Sequence, residues 1–563
     1  MSYTANQQPD GIPDGFELRD DGIYLLPYSD SKGKAPIWLC SPITVIAQTV
    51  DTQNKRWGRM ISAKNEAGVI HEFVMSAIEI SRVPKLIDQL LDKGLHIDSS
   101  KANRTTLSKM LMDWKPAATV LLTDKLGWAE NNYKTFLFAD GSTMGQQKAK
   151  FAPVRPAFSL KDVCKRGNLD AWKDTVATRA NGNPVLITAI SLAFAGPLLR
   201  IIGRNGFGIH FKGKSSTGKT TALSVATSVW GGSDLMQTWR TTSSALEGIA
   251  ASANDSFLPL DELGEVKAAA ASEAFYMLAN GVAKSRASPQ GCTGTAASWK
   301  IVFLSTGEIS VAEKLAEARI KLMEGQSVRI MDLKADGQAH GVFDDLHGEA
   351  NAAAFANVLN KSAAQACGIS GPTFIKKLIS IDSDLPRYCR VKVAEMTSIV
   401  LNGADTTAIP YAERAAEQFA LIALAGQLAT MFGLTGWSKS AALQAAIEMF
   451  GIWMTSQIDP LSRQEILRRI HEFSVRHETR LQCEGGNTVK DQVGWQDKSR
   501  VMFDDNGWSE IHAGLGVRDV AKAARGFGIL MAGDGDNLKA KAPNWIPNRP
   551  RLYIVQRSVL SPT

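Results

Sequence analysis

Residues 206–211 (GFGIHF) form a short apolar run that leads into a loop bounded by glycines, Gly213-Lys214-Ser215-Ser216-Thr217-Gly218-Lys219-Thr220, and helix-forming residues come after it. The loop fulfils the spacing GxxxxGK[ST]. An order of strand, glycine loop and helix constrains the chain more than any other feature. Glycines let the backbone curl so that successive N–H groups face phosphate oxygens, while the helix beyond presents its positive end to the same anion. The reading is an ATP site made by Gly213, Lys214, Ser215, Ser216, Thr217, Gly218, Lys219, Thr220 and Thr221. Lys219 is expected to neutralise the β- and γ-phosphate oxygens, and Thr220 to offer its hydroxyl to Mg2+.

Forty-one residues lie between Lys219 and Asp261, which ends the apolar run Phe257-Leu258-Pro259-Leu260-Asp261-Glu262. Adjacent strand residues face opposite sides, so two neighbouring carboxylates can divide the work. Asp261 is expected to hold magnesium through water, and Glu262 to polarise the attacking water. Without the upstream loop the two acids would read as a solvated turn; with it they read as the second half of a catalytic site. A third apolar strand, 300–304, ends in Ser305-Thr306-Gly307-Glu308. Ligands of open parallel sheets sit at such carboxyl ends, so Ser305 or Thr306 is expected at the γ-phosphate or the attacking water, the alternative being a cap on the next helix. A fourth strand, 328–333, begins beside Arg329.

At 563 residues the chain exceeds one hydrophobic core, and 44% hydrophobic with 21% charged residues excludes general disorder. Four segments are read: an N-terminal α+β module (1–150), an α/β core with leading helices (151–335), a helical lid region (336–455) and a C-terminal winged-helix-like module (456–563). Residues 83–94 and 106–114 are expected as helices, and 118–141 as a hairpin. A net charge of +7 suits a polyanionic partner without proving one. Six cysteines, with no CxxC pair, imply reduced thiols and no metal cluster. The polar N-terminus lacks the apolar core of an export signal. The stretch 185–202 approaches membrane-spanning length, but Pro197 and Arg200 interrupt it, so a buried helix is expected. The expected location is the cytoplasm, with no membrane partner.

In order, GKSSTGKTT, PLDELGEV, YMLANGVAKSRA, FLSTGEIS, SVRIMDLKAD and RAAEQFALIALAGQLAT resemble a family of predicted P-loop ATPases of phages, plasmids and other mobile elements, a domain-of-unknown-function family related in layout to AAA+ and superfamily 3 helicases. The resemblance covers roughly residues 160–440. It implies an α/β P-loop NTPase core of AAA+-like type and a hexameric ring with ATP between neighbouring subunits. It also implies that Arg329 is the finger reaching the neighbour's γ-phosphate, the alternative being an ordinary surface arginine with Arg319 or Arg286 serving instead, and that Arg414 is a second sensor in the lid, the alternative being a charge on the helix surface. In similar rings a hairpin at the place of GVAKSRASPQGCTGT enters the central channel, which would make Lys284 and Arg286 the grip on DNA phosphates.

The function read from these features is an ATP-dependent DNA helicase or translocase acting on single-stranded or forked DNA in the replication of a mobile element. An ATP-operated assembly switch or defence regulator without translocation is the alternative from another class. A primase-helicase is disfavoured, because residues 1–150 hold no cluster of metal-binding acids beyond Asp20 and Asp21 in a turn.

Overall fold

The computed structural model describes residues 8–27, 34–146, 148–152, 160, 163–284, 296–320, 328–403, 409–457 and 461–560. The chain divides into two compact units, Met1–Trp453 and Met454–Thr563.

The first unit opens with a three-stranded antiparallel sheet of Phe16–Arg19, Gly22–Leu25 and Ile37–Cys40. A five-stranded mixed sheet comes next, in the order Lys148–Phe151, Thr119–Thr123, Ile43–Asp51, Gly58–Lys64, Ile70–Ser76. Ile43–Asp51 alternates buried with half-buried residues, the mark of a strand packed on one face. Its core also takes Leu86, Leu90, Leu107 and Leu111 from the helices Val83–Asp92 and Lys101–Asp113. The expected hairpin at 118–141 forms only in part. Gly127–Trp128 pairs with Thr135–Leu137, whereas Thr119–Thr123 runs parallel to Ile43–Asp51 and Lys148–Phe151. A run as apolar as Val120-Leu121-Leu122 favours the interior of a sheet over a two-stranded ribbon.

Buried polar contacts from this partial hairpin fasten the N-terminal module to residues 197–255. Trp128 donates its indole N–H to Pro197 O at 2.9 Å and its backbone N–H to Asp255 Oδ2 at 3.1 Å. Asn254 donates to Leu126 O at 2.7 Å.

Next come α1 (Pro184–Ile202), β1 (Phe207–Lys212), α2 (Lys219–Thr227), β2 (Gln237–Thr238), α3 (Ser243–Ser252), β3 (Ser256–Asp261), α4 (Ala268–Asn280), β4 (Ile301–Gly307), α5 (Val311–Ala316) and β5 (Ile330–Lys334). The strands form one parallel sheet in the order β2-β3-β4-β1-β5. β1 and β4 are buried almost throughout, as strands covered on both faces must be. α1 is the one described helix long and apolar enough to cross a membrane, and it is buried in this unit against α2, β3 and β4. It approaches β3 closely at Gly196, where a Cβ would stand 2.1 Å from Ser256 O.

Beyond β5 the unit is helical: α6 (Ala352–Gln365), α7 (Ser370–Ile379), α8 (Leu385–Leu401), α9 (Ala412–Met431) and α10 (Ala441–Gln457), the last four residues of which belong to the second unit. α9 packs along α1 and α8, so its Ala/Leu-rich face is buried.

The second unit contains α11 (Arg463–Arg476), β6 (Leu481–Cys483), β7 (Gly494–Gln496), β8 (Arg500–Phe503), α12 (Asp505–Ile511), α13 (Val517–Gly526), β9 (Ala540–Lys541) and β10 (Arg551–Gln556). Its sheet has the order β6-β7-β8-β10-β9, and its core gathers Ile466, Phe503, Trp508, Val520 and Val555.

Candidate functional site

The glycine loop leaves β1 at Lys212 and enters α2 at Lys219. Two left-handed residues, Ser216 (φ 60°) and Gly218 (φ 99°), turn the chain over. A side chain at Gly218 would also collide with Val342 and Phe343, which pack under the loop. Val342 N–H donates to Thr217 O at 3.0 Å, and Lys214 N–H to Asp336 Oδ2 at 2.8 Å, so the segment after β5 holds the loop from outside. The Lys219 side chain folds back under the loop and donates to the carbonyl oxygens of Gly213, at 2.8 Å, and Lys214. Burial lowers its pKa, while the charges of Glu308, Asp336 and Asp261 act to raise it. Lys214, Ser215, Ser216 and Thr220 are exposed and Thr217 is half-buried, while Thr221 is buried and its hydroxyl lies 3.2 Å from Asn360 Nδ2.

Asp261 ends β3, Thr306 is the last residue but one of the neighbouring β4, and the Thr306 hydroxyl hydrogen-bonds Asp261 Oδ1. Glu262 comes next in the left-handed region at φ 60°, strain for a residue with a Cβ, and its carboxylate is exposed. Repulsion from Glu265, burial and Asp261 together raise its pKa above the usual carboxylate value.

Ser305 goes the other way. Strand alternation turns it onto the face opposite Thr306, where it is buried between Trp239 and His210. Trp239 Nε1–H donates to Ser305 Oγ at 2.8 Å, and Ser305 Oγ lies 2.8 Å from His210 Nδ1. His210 Nε2 faces Ile309 O at 2.9 Å, which requires the ring proton on Nε2 and makes Nδ1 the acceptor of the Ser305 hydroxyl. Burial depresses the His210 pKa to about 4, so the ring is neutral. The structure thus brings Thr306, and not Ser305, to Asp261.

The arginines lie elsewhere. Arg329 precedes β5 at the amino end of the sheet, where its carbonyl accepts from Gly208 N–H at 2.8 Å and its guanidinium bonds Asn280. Arg414 lies in the first turn of α9 and lines, with Arg329, Arg204 and Tyr276, a cleft of about 570 Å³ beside Gly206 and Phe207. Both are therefore at the sheet end opposite the loop of their own chain. Lys284 ion-pairs with Glu273, and Arg286 lies outside the described residues. The flanks of that stretch pair antiparallel, Val282 with Ser298.

Three residues of the site, Asp336, His210 and Trp239, escape a reading of the sequence. Asp336 carries the same signal as Asp261, an acid just past an apolar strand, and His210 is a polar residue inside one.

No curated protein matches the sequence. A solved structure described as "SCCmec type IV Cch - active helicase" is 18% identical, with a TM-score of 0.58, over 97% of this chain and 99% of that one, a likeness of fold. The family model described as "Domain of unknown function (DUF927)" matches residues 16–297, which include the glycine loop, Asp261 and Glu262 and make up half of the sequence. The chain belongs to the DUF927 family.

Proposed function

We propose that this protein is an ATPase whose hydrolysis cycle moves single-stranded or forked DNA, working as a ring of identical subunits in the replication of a mobile element. The observation that carries the reading is the convergence of the Gly213–Thr220 loop, Asp261, Glu262 and Thr306 at the carboxyl end of one parallel sheet. Ligands of open α/β sheets bind at that end.

The donors there suit ATP with magnesium. Among the described residues the Lys219 ammonium is held by the backbone carbonyls of Gly213 and Lys214 alone, which a triphosphate can replace, and α2 starts at the same residue. Thr220 presents an exposed hydroxyl, and Asp261 is held in place by Thr306. Magnesium, when bound, supplies charge neutralisation across the phosphate oxygens. Lys219 neutralises the remaining charge, Glu262 takes the proton of the attacking water, and Thr306 orients Asp261. Arg329, on the far end of the sheet, serves as the finger for a neighbouring subunit.

The DNA reading rests on fold-level analogy to the SCCmec helicase, with Lys284 and Arg286 as the channel grip. In the second unit the order α11, β6, β7, β8, α12, α13, β9, β10, in which two helices are followed by the antiparallel pair β9 and β10, supports a winged-helix module, and α13 exposes Arg518 and Lys522.

The deciding experiment is steady-state ATPase activity with and without single-stranded DNA, beside Lys219→Ala and Glu262→Gln. The expected result is hydrolysis that DNA stimulates and that each substitution lowers by more than about 100-fold. Lys219-dependent hydrolysis indifferent to DNA would assign the assembly switch instead. Hydrolysis that survives Lys219→Ala would remove the ATPase site from Gly213–Thr220.

A further inference from the structure

Two cysteine sulfurs meet where three segments of the first unit cross, at the end of α2 remote from the glycine loop. Cys164 lies in the stretch that enters the α/β core, and Cys367 lies between α6 and α7, 203 residues further along the chain. Their Sγ atoms are 4.0 Å apart, and Cys367 Sγ lies 3.8 Å from Cys164 O. A movement of roughly 1 Å by each sulfur closes that gap to the bonding distance of about 2 Å. Backbone bonds keep the two stretches together: Arg166 N–H donates to Cys367 O, and Cys367 N–H to Arg166 O, each at 3.0 Å. Gly368 N–H donates to Ser228 O and Gly371 N–H to Val229 O, both at 2.8 Å, which ties the same corner to the exit of α2.

The two thiols differ in access. Cys164 is half-buried, and a Cβ at Gly232 would stand 3.4 Å from its sulfur, so the missing side chain there leaves space beside it. Cys367 is buried, and burial, followed by the neighbouring Cys164, pushes its pKa up. A small oxidant therefore meets Cys164 first, while Cys367 stands ready to react with what forms there. Among the other described cysteines, Cys40 and Cys389 are buried and Cys483 is exposed in the second unit.

We propose that Cys164 and Cys367 are a modification site for hydrogen peroxide, and that the disulfide it forms staples the entrance of the α/β core to the α6–α7 corner and slows ATP hydrolysis. In the first step Cys164 Sγ bonds to one peroxide oxygen, the O–O bond breaks, and the other oxygen leaves as water, which makes Cys164 a sulfenic acid. In the second, Cys367 Sγ bonds to Cys164 Sγ, the S–O bond breaks, and the hydroxide takes the Cys367 proton and leaves as a second water. The two thiols lose two electrons and the peroxide gains them. Lys165, next to Cys164, pairs with Asp140 at 2.7 Å, so the staple also reaches the N-terminal module. α2 carries Lys219 at its other end, and a bond that fixes the corner where this helix exits resists the small movements of a hydrolysis cycle. The effect on hydrolysis rests on the ATPase reading; the formation of the bond does not.

The test treats the reduced full-length protein with hydrogen peroxide, blocks the remaining thiols by alkylation and maps the cysteine peptides by mass spectrometry. The expected result is a peptide that joins Cys164 to Cys367, lighter than the reduced pair by two hydrogen atoms and separated again by dithiothreitol. Cys164 recovered as a sulfinic or sulfonic acid, joined to another cysteine, or untouched while Cys483 is oxidised overturns the proposal. In Cys367→Ser, Cys164 should stop at the sulfenic acid and take a dimedone label, and absence of the label overturns Cys164 as the first sulfur attacked. The map of the parent protein needs no variant, so a fold lost in Cys367→Ser leaves the test intact. Oxidised protein should melt at least about 3 °C higher, because the bond restricts the unfolded chain, and hydrolyse ATP at least about 3-fold slower. Dithiothreitol should reverse both changes, and Cys164→Ser should show neither. A mapped bond with unchanged turnover overturns the effect on hydrolysis. Reduced protein without Lys219-dependent hydrolysis would instead remove the ATPase reading, and the peptide map and melting shift would still decide the site.

Discussion

Ser305 and Thr306 are neighbours in the chain and carry the same functional group, yet they meet different fates because a strand turns successive side chains to opposite faces. Thr306 holds Asp261, while Ser305 is taken up between Trp239 and His210. Thr306→Ala should therefore lower kcat by about 10-fold or more with KM little changed, since only an orienting bond is lost. Ser305→Ala should leave an indole N–H and an imidazole nitrogen unpaired and cost about 1–3 kcal/mol of stability, read from urea unfolding. In the second unit, His512 is buried against Trp508 at 4.4 Å between ring centroids, with no partner for either ring nitrogen among the described residues. Burial, and after it the charge of Arg469, hold its pKa down at about 4, while Glu465 opposes them. The unfolded chain, near 6.5, takes up the proton first as pH falls. The stability associated with neutral His512 is thus full above about pH 6.5 and lost as pH falls through about 4, by up to about 3 kcal/mol. His512→Leu should remove that loss, checked by hydrogen exchange of the α12 and α13 amides at pH 7 and pH 4.5.

Elements carry these residues to their places. α1 lies on the sheet because Gly196 admits the backbone of β3 at Ser256, and β3 ends five residues later at Asp261. Gly196→Ala should force helix and strand apart, cost about 1–3 kcal/mol and lower ATPase activity with it, whereas a change confined to the loop would alter activity alone. Denaturant unfolding and turnover measured on the same sample check the pairing. The antiparallel flanks at Val282 and Ser298 put Lys284 at the foot of the stretch proposed to grip DNA. Its ion pair with Glu273 is exposed, so Lys284→Ala should change stability by less than about 1 kcal/mol and act through DNA-stimulated turnover.

For the whole molecule, the charge is unevenly shared. Residues 517–557 contain eight Lys and Arg against three Asp. With Arg518 and Lys522 exposed on α13, the proposed DNA reading predicts that Arg518→Ala with Lys522→Ala weakens DNA binding across sequences and reduces the salt slope by about 2, with ATPase activity in the absence of DNA unchanged. A binding isotherm at several salt concentrations checks this.

Much of the carboxyl end of the parallel sheet was legible in the sequence. The loop of Gly213–Thr220 is built from eight contiguous residues in the spacing GxxxxGK[ST], and an apolar strand ending in acids announces itself by local pattern. The buried helix at 184–202 could likewise be read from its own interruptions, Pro197 and Arg200. Only the tertiary structure decided which side chains meet across the sheet: Thr306 rather than Ser305 at Asp261, Asp336 under Lys214, Thr119–Thr123 parallel to Ile43–Asp51, and Arg414 beside Arg329 instead of the loop. Asp336 and Lys214 alone are separated by 122 residues of chain, a distance that no local pattern spans. Composition and periodicity specify an element and its buried face, whereas register, strand order and packing determine where that face is set down.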